Sequence, residues 1–328
     1  MREYVIRRLI HTGIVLLGVL IGIFALIRFI PGDPATVILG VDATAEEVER
    51  LQNMLGLNEP LQTQFIRYLR LVLQGDFGDS IFQHVPVMEL IMQRLPATVE
   101  LAVAAMLIAI ALGVVAGIVA AIRPYSIFDA LGTFMALAGV AMPVFWLGML
   151  MILFFSLRLG WLPSFGRGET GLFAGFFTLL REGNVAPLSD ALRHLALPAL
   201  TLGAYSAALI ARLVRSSMLE VLGKDYILTA RGKGLTERTV ILRHAFRNAL
   251  IPVVTVIGLQ VGALLGGAVI TETIFSWPGI GRLLINAISQ RDYPLIQGIV
   301  FVLALSISLI NLFVDLLYAW LDPRVAYD

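Results

Sequence analysis

The chain has 328 residues, 58% apolar and 14% charged, where soluble domains run near ~45–50% and ~25%. That balance excludes an ordinary soluble domain and places the chain in the polytopic membrane class. A net charge of +1 gives no electrostatic case for nucleic acid. The lack of cysteine excludes a disulfide framework, a thiolate zinc site and a thiol nucleophile within the chain.

The N-terminal run MREYVIRRLIHTGIVLLGVLIGIFALIRFIPGD has the charge–apolar order of a signal peptide. Its apolar core, Leu9–Ile27, is too long for one, and no small-residue cleavage site follows, so it reads as a retained anchor. A helix rising ~1.5 Å per residue needs about 20 apolar residues to cross a ~30 Å hydrocarbon core. Six predicted spans meet that test: Leu9–Ile30, Ala97–Ile122, Ala130–Leu157, Leu192–Val214, Leu250–Ile274 and Ile296–Trp320. Pro143 interrupts the third, which predicts a kink or a short re-entrant piece. Two shorter helices precede the second span. Thr44 with Glu46 and Glu47 marks the start of Ala45–Leu55, which Gly56 should stop. Leu61–Leu73 carries Phe65, Leu69 and Leu73 at helical spacing. The run Gly171–Leu180 is too short to span and is expected at the interface or packed on the bundle.

Orientation follows from Lys and Arg near the span ends. With the N-terminus inside, that side receives Arg2, Arg7, Arg8, Arg123, Arg324 and the segment from Arg212 to Arg247, where eight basic residues face three acidic ones. The opposite loop, Pro31–Pro96, carries nine acids and four bases. Both termini are therefore expected inside.

Little else in the chain suggests chemistry. His11, His84, His194 and His244 are scattered without an i, i+4 partner, so no metal site is expected. No GxxxxGK[ST] phosphate loop occurs, so ATP-driven work would need another subunit. Glu100, Arg28 and Asp315 fall near predicted span ends and read as interfacial anchors, which weighs against a proton- or sodium-driven carrier. Gly258, Gly262 and Gly266 share one face of the fifth span and would admit a close helix, either within the chain or as a partner contact or pathway lining.

The segment Arg212–Pro252 differs from the rest. Ser216–Leu222 should continue the fourth span outward, with Gly223 ending it at a C′ position. Asp225 is the expected N-cap of a short helix, Tyr226–Lys233, which Gly234 ends, and Thr236 is the expected cap of the next. Tyr226, Ile227, Leu228 and Leu235 are apolar residues on a basic segment, a pattern suited to a partner's groove rather than to a solvated loop.

At these residues the chain resembles binding-protein-dependent ABC transporter permeases, in the dipeptide/oligopeptide branch and nearest its dipeptide permeases. The strings DYILTARGKGL, RHAFRNALIPVVTVIGLQVG, TETIFSWPGIGRLL and QRDYP carry the likeness. IPGDP (Ile30–Pro34), LGLNEPL (Leu55–Leu61), GDFGDS (Gly75–Ser80) and NLFVDLLYAWLDPR (Asn311–Arg324) extend it over nearly the whole chain. The resemblance implies an all-α type I importer permease in a bacterial inner membrane. Its parts would be an anchor helix at 1–30, a periplasmic loop with short helices at 31–96, and a core at 97–328 with a cytoplasmic coupling segment at 215–250. Implied partners are a second homologous permease, one or two cytoplasmic ATPases that hold ATP and Mg, and an extracytoplasmic peptide-binding protein; no cofactor is implied in this chain. ATPase coupling would involve Asp225, Tyr226, Thr229, Ala230, Arg231, Gly234 and Leu235. Leu228 stands where importers generally have Glu and Arg247 where they have Pro, so no salt bridge from that Glu carries over. The stretch Gly166–Pro187 is the least family-like and is expected to be an exposed outer loop, inert or touching the binding protein. Importers of nickel or glutathione are alternatives within the family. A gradient-driven carrier and a scaffold recruiting soluble proteins are the alternatives outside it.

Overall fold

In the computed structural model, which describes residues 2–29, 39, 43–55 and 58–321, the periodic apolar runs become helices. Among the described residues there is one isolated antiparallel bridge, Asp79–Pro86, and no strand. The IPGDP motif, the expected stop at Gly56 and the basic Arg324 lie outside the described residues. The chain divides into two compact units: Met1–Pro96 with Ile280–Ala319 and Pro323–Asp328, and Ala97–Gly279 with Trp320–Asp322.

In the first unit, α1 (Arg2–Phe29) exposes Leu9, Ile10, Ile14 and Ile21, as a helix bathed in hydrocarbon would. Helix α2 (Ala45–Leu55) starts in a capping box. Thr44 N–H donates to Glu47 Oε2 (2.9 Å), and Thr44 Oγ1 accepts from Glu47 N–H (3.4 Å). This bonding holds the Glu47 carboxyl below its ordinary range. Helix α3 (Leu61–Leu73) sets Phe65 edge-on against Phe24 of α1, at 5.1 Å between ring centroids.

Helix α4 runs Val87–Ile122 and starts ten residues before the predicted span, passing through Pro96. Its early turns are held by burial: Val87 and Ile91 pack with Ile280, Leu295 and Ile299. Helix α11 (Ile280–Gln290), which the sequence reading did not anticipate, supplies part of that core, and α12 (Tyr293–Leu321) supplies the rest. Asp292 caps α12 by accepting from Leu295 N–H and also accepts from Ser80 Oγ, so GDFGDS and QRDYP meet in space. Asp315 pairs with Arg8 at 3.0 Å.

In the second unit, α5 (Ile127–Ala141) and α6 (Val144–Met151, continued as a π-helical stretch Ile152–Arg158) replace the third predicted span. They are bent by 111° at Met142–Pro143. Met142 is extended (φ −77, ψ 127), as the residue before a proline tends to be, and the helix cannot continue through it. Helix α7 (Leu172–Glu182) fills the short run near Gly171 and packs on α8 (Ala186–Leu222), where Gly175 meets the Leu188 backbone. A short turn, Glu237–Thr239, and a π-helical stretch, Val240–Phe246, lead into α10 (Arg247–Ile274). Among the described residues, five helices are long and apolar enough to cross a membrane, or six if the bent pair is one span.

A close crossing of α4 and α8 was not among the expected ones. A Cβ added at Gly113 or Gly117 of α4 would stand 2.8 or 2.6 Å from Ile210 or Val214 of α8, and one at Gly203 would stand 2.5 Å from the Ala105 carbonyl. Only glycine lets these backbones approach so closely.

Candidate functional site

The segment after α8 builds a short helix, α9 (Asp225–Gly232). Gly223 does end α8, but as a right-handed C-cap (φ −83) rather than a left-handed C′ residue. Lys224 is extended (φ −85, ψ 148) and takes the N-cap position of α9, so Asp225 is the first helical residue and not the cap. Its charge still lies in the first turn, where the helix dipole favours an acid. Thr236 does hold the N-cap position of the following turn, but its hydroxyl pairs with Thr239 Oγ1 (2.9 Å) instead of capping a backbone N–H.

The exit from α9 is a Schellman turn. Gly234 is left-handed (φ 78); its N–H donates to Arg231 O (2.9 Å), and Leu235 N–H donates to Ala230 O (3.4 Å). A side chain at position 234 would meet the left-handed penalty of roughly 1–2 kcal/mol.

The two faces of α9 differ. Ile227 and Ala230 point inward and pack in a core with Met218, Val221, Val240, Ala245 and Ala249. Ile227 therefore belongs to the chain's own interior and is not offered outward. Tyr226, Leu228 and Leu235 are 41%, 59% and 40% exposed, with Thr229 and Arg231 exposed beside them. Large apolar side chains held outward by a fixed helix are what a partner's pocket would take. Tyr226 Oη accepts from Asn248 Nδ2 (2.9 Å), which ties α9 to α10. Arg231 forks onto Glu237, with Nη2 to Oε1 at 2.7 Å, and this bond lowers the Glu237 pKa. Lys224 pairs with Glu220 at 2.8 Å.

The other residues singled out from sequence do not converge on this helix. Gly258 and Gly262 are buried, whereas Gly266 is exposed with nothing within 4 Å of an added Cβ. The row therefore does not act as one packing face. Gly113-x-x-x-Gly117 carries the same sequence signal and makes the close contact.

Glu100 is a correction. It is fully buried, not an interfacial anchor; it pairs with Arg167 Nη2 (2.7 Å) and accepts from Arg167 Nε (2.8 Å) and Phe173 N–H (3.2 Å). A buried carboxylate persists only when so compensated. The stretch Gly166–Pro187 is correspondingly anchored and partly helical; Gly166 N–H also donates to Phe275 O (2.9 Å). A second buried carboxylate, Glu272 in the TETIFSWPGIG string, accepts from Thr98 Oγ1 (2.6 Å). Nearby, Trp277 Nε1–H donates to Ala97 O (2.8 Å).

Residues 113–327 match the family described as "binding-protein-dependent transport system inner membrane component", and residues 1–102 match the family of its N-terminal part. The chain is 48% identical to the dipeptide transport system permease protein DppB of Alkalihalophilus pseudofirmus (strain ATCC BAA-2126 / JCM 17055 / OF4), over the full length of both. It is 45% identical to the protein of that name from Escherichia coli (strain K12), covering 100% of this chain and 99% of the relative. It is 43% identical to the glutathione transport system permease protein GsiC of Salmonella paratyphi A (strain ATCC 9150 / SARB42), again over the full length of both. A solved structure of the MetNI methionine ABC transporter shares the fold at TM-score 0.55 and 17% identity, covering 72% of this chain and 97% of that one.

Proposed function

The chain belongs to the family of binding-protein-dependent transport system inner membrane components, and from that membership we propose how it works. It is a multi-pass inner-membrane permease subunit of an ATP-driven peptide importer, and its substrates are dipeptides and other short peptides. It forms the translocation pathway with a second, homologous permease. ATP and Mg are held by one or two cytoplasmic ATPases, and an extracytoplasmic binding protein delivers the peptide. Both termini are cytoplasmic, which puts the basic segment on the ATPase side.

The observation that carries this reading is the two-faced helix α9. Its outward Tyr226 and Leu228, with Leu235 just past its end and Thr229 and Arg231 at the rim, seat in a groove of the ATPase. Asp225 sets the entry of the helix, and Gly234 sets its exit. Its inward Ile227 and Ala230 share a core with residues of α8 and α10. A displacement of α9 by the ATPase thus moves packed side chains rather than a slack loop, and interiors transmit strain because they are close-packed. Helix α8 has 37 residues, or ~55 Å at helical rise, enough to carry that motion across a bilayer. Helix α10 offers Gly266, open on its surface, to the pathway or the second permease, while Gly258 and Gly262 are buried within the chain.

The test is reconstitution of the binding protein, the second permease and the ATPases with and without this chain. ATP-dependent uptake of a labelled dipeptide should require it; undiminished uptake without it would sink the reading. Uptake that survives ATP depletion and collapses with an ionophore would favour a gradient-driven carrier instead. The glutathione-transporting relative makes glutathione the alternative substrate, and competition between glutathione and the dipeptide separates the two.

A further inference from the structure

A cavity of about 100 Å³ opens between α4, α5 and α8, and no residue of α9 lines it. Its walls are small or apolar: Ala116 and Ala120 of α4, and Gly132, Ala136 and Leu137 of α5. Arg212 and Arg215 of α8 also line it. The two arginines are in different states. Arg215 is committed to Asp129, with Nη2 to Oδ2 at 2.7 Å and Nε on the other oxygen. Arg212 is exposed and, among the described residues, has no carboxylate partner. Arg123, at the same end of these helices, lies over the Phe128 ring at 5.4 Å.

The surface around the opening is apolar. Leu112, Val115, Val119, Leu131 and Met135 are all exposed on α4 and α5, where a spanning helix meets acyl chains. The arrangement therefore combines an unpaired guanidinium, an alkyl-sized slot beneath it and a hydrocarbon-facing rim. A peptide would find too few polar partners in these walls. Water alone would leave the apolar lining wet in a membrane.

We propose that this cavity is a binding site for an anionic phospholipid, whose phosphate is held by Arg212 and whose upper acyl chain lies along Ala116, Ala120, Gly132 and Ala136. The charge complementarity is specific. No carboxylate lines the cavity among the described residues, and neighbouring Asp129 is already neutralised by Arg215, so Arg212 adds a net positive charge at the headgroup level. Gly132 keeps the slot open, since a Cβ there would make ordinary contact, at 3.7 Å, with Ala120 Cβ across it. A larger side chain would fill the space.

The experiment uses the full chain in detergent and reads lipid adducts by native mass spectrometry, with dioleoyl phosphatidylglycerol and dioleoyl phosphatidylcholine added in turn. One phosphatidylglycerol adduct should survive activation that strips phosphatidylcholine. Arg212→Gln should reduce it about fivefold, the contribution of one basic residue near an anionic headgroup. Gly132→Leu should reduce it similarly by filling the slot, and excess inorganic phosphate should leave it in place. In vesicles of dioleoyl phosphatidylcholine doped with a diazirine-acyl phosphatidylglycerol, label should fall within 116–120 and 132–137. Equal retention of both lipids, an adduct unchanged by both substitutions, or displacement by phosphate alone would overturn the proposal. So would crosslinking of 132–137 to the second permease in the assembled transporter. None of these outcomes depends on transport, so failure here leaves the permease reading standing.

Discussion

Two segments of the core unit, Gly166–Pro187 and Arg212–Pro252, both bring charge into an apolar chain and behave in opposite ways. The first sends charge inward: Arg167 meets a Glu100 that has no exposed surface. The second, from Lys224 onward, keeps its charges at the surface, where Arg231 and Glu237 pair with each other, and turns apolar Leu228 and Tyr226 outward. Charge content therefore says little about which segment meets a partner. The informative feature is apolar surface displayed on a polar segment by a helix that is itself anchored from below.

The largest expected effect strikes the inward-facing segment. Arg167→Ala leaves the buried Glu100 carboxylate uncompensated and should cost about 3–5 kcal/mol, seen as a lowered melting temperature in detergent. The pair variant Glu100→Gln with Arg167→Met should recover most of it; a single variant as stable as the original chain would show that the pair does not anchor the loop. Next comes the underside of α9. Ile227→Ala removes a fully buried side chain and should cost about 2–4 kcal/mol, with faster hydrogen exchange over 225–235. Exchange unchanged there would mean that the helix is not held by this core.

Gly234→Ala should cost roughly 1–2 kcal/mol, because the Schellman turn needs a left-handed residue at that position; Gly232→Ala, in ordinary helical backbone, should not destabilise. The smallest effect is one of pH. The Arg231 bond depresses the Glu237 pKa below 4.5, so its contribution is present above that value and is lost as pH falls through the lowered one. Exchange of the 231–237 amides should quicken over that acidic range in the original chain and should show no such step in Glu237→Gln.

Much of this was legible in the sequence, for identifiable reasons. Apolar runs long enough to span, the break at Pro143 and the bounds of α2 and α3 follow from local rules of length, proline geometry and capping. The two-faced character of α9 was only half visible: Tyr226, Ile227 and Leu228 are equally apolar neighbours, and only tertiary packing decides that Ile227 turns in. The burial of Glu100 leaves no local pattern, because its partner lies 67 residues away. Helix α11 does carry a local signal, with Ile280, Leu283, Leu284 and Ala287 at helical spacing, but a search for segments long enough to span passes over an 11-residue helix. The Lys224 cap shows the same limit at short range, since Asp225 is the better capping residue by propensity but backbone geometry starts the helix one position earlier.

The most direct test of the account is Leu228→Asp in the complete transporter, read as ATP-dependent peptide uptake, ATPase co-purification and melting temperature together. Leu228 is 59% exposed, so melting should shift by no more than about 0.5 kcal/mol equivalent, while uptake and co-purification fall to background. Uptake and co-purification equal to those of the original chain would contradict the claim that this face of α9 is where the ATPase engages.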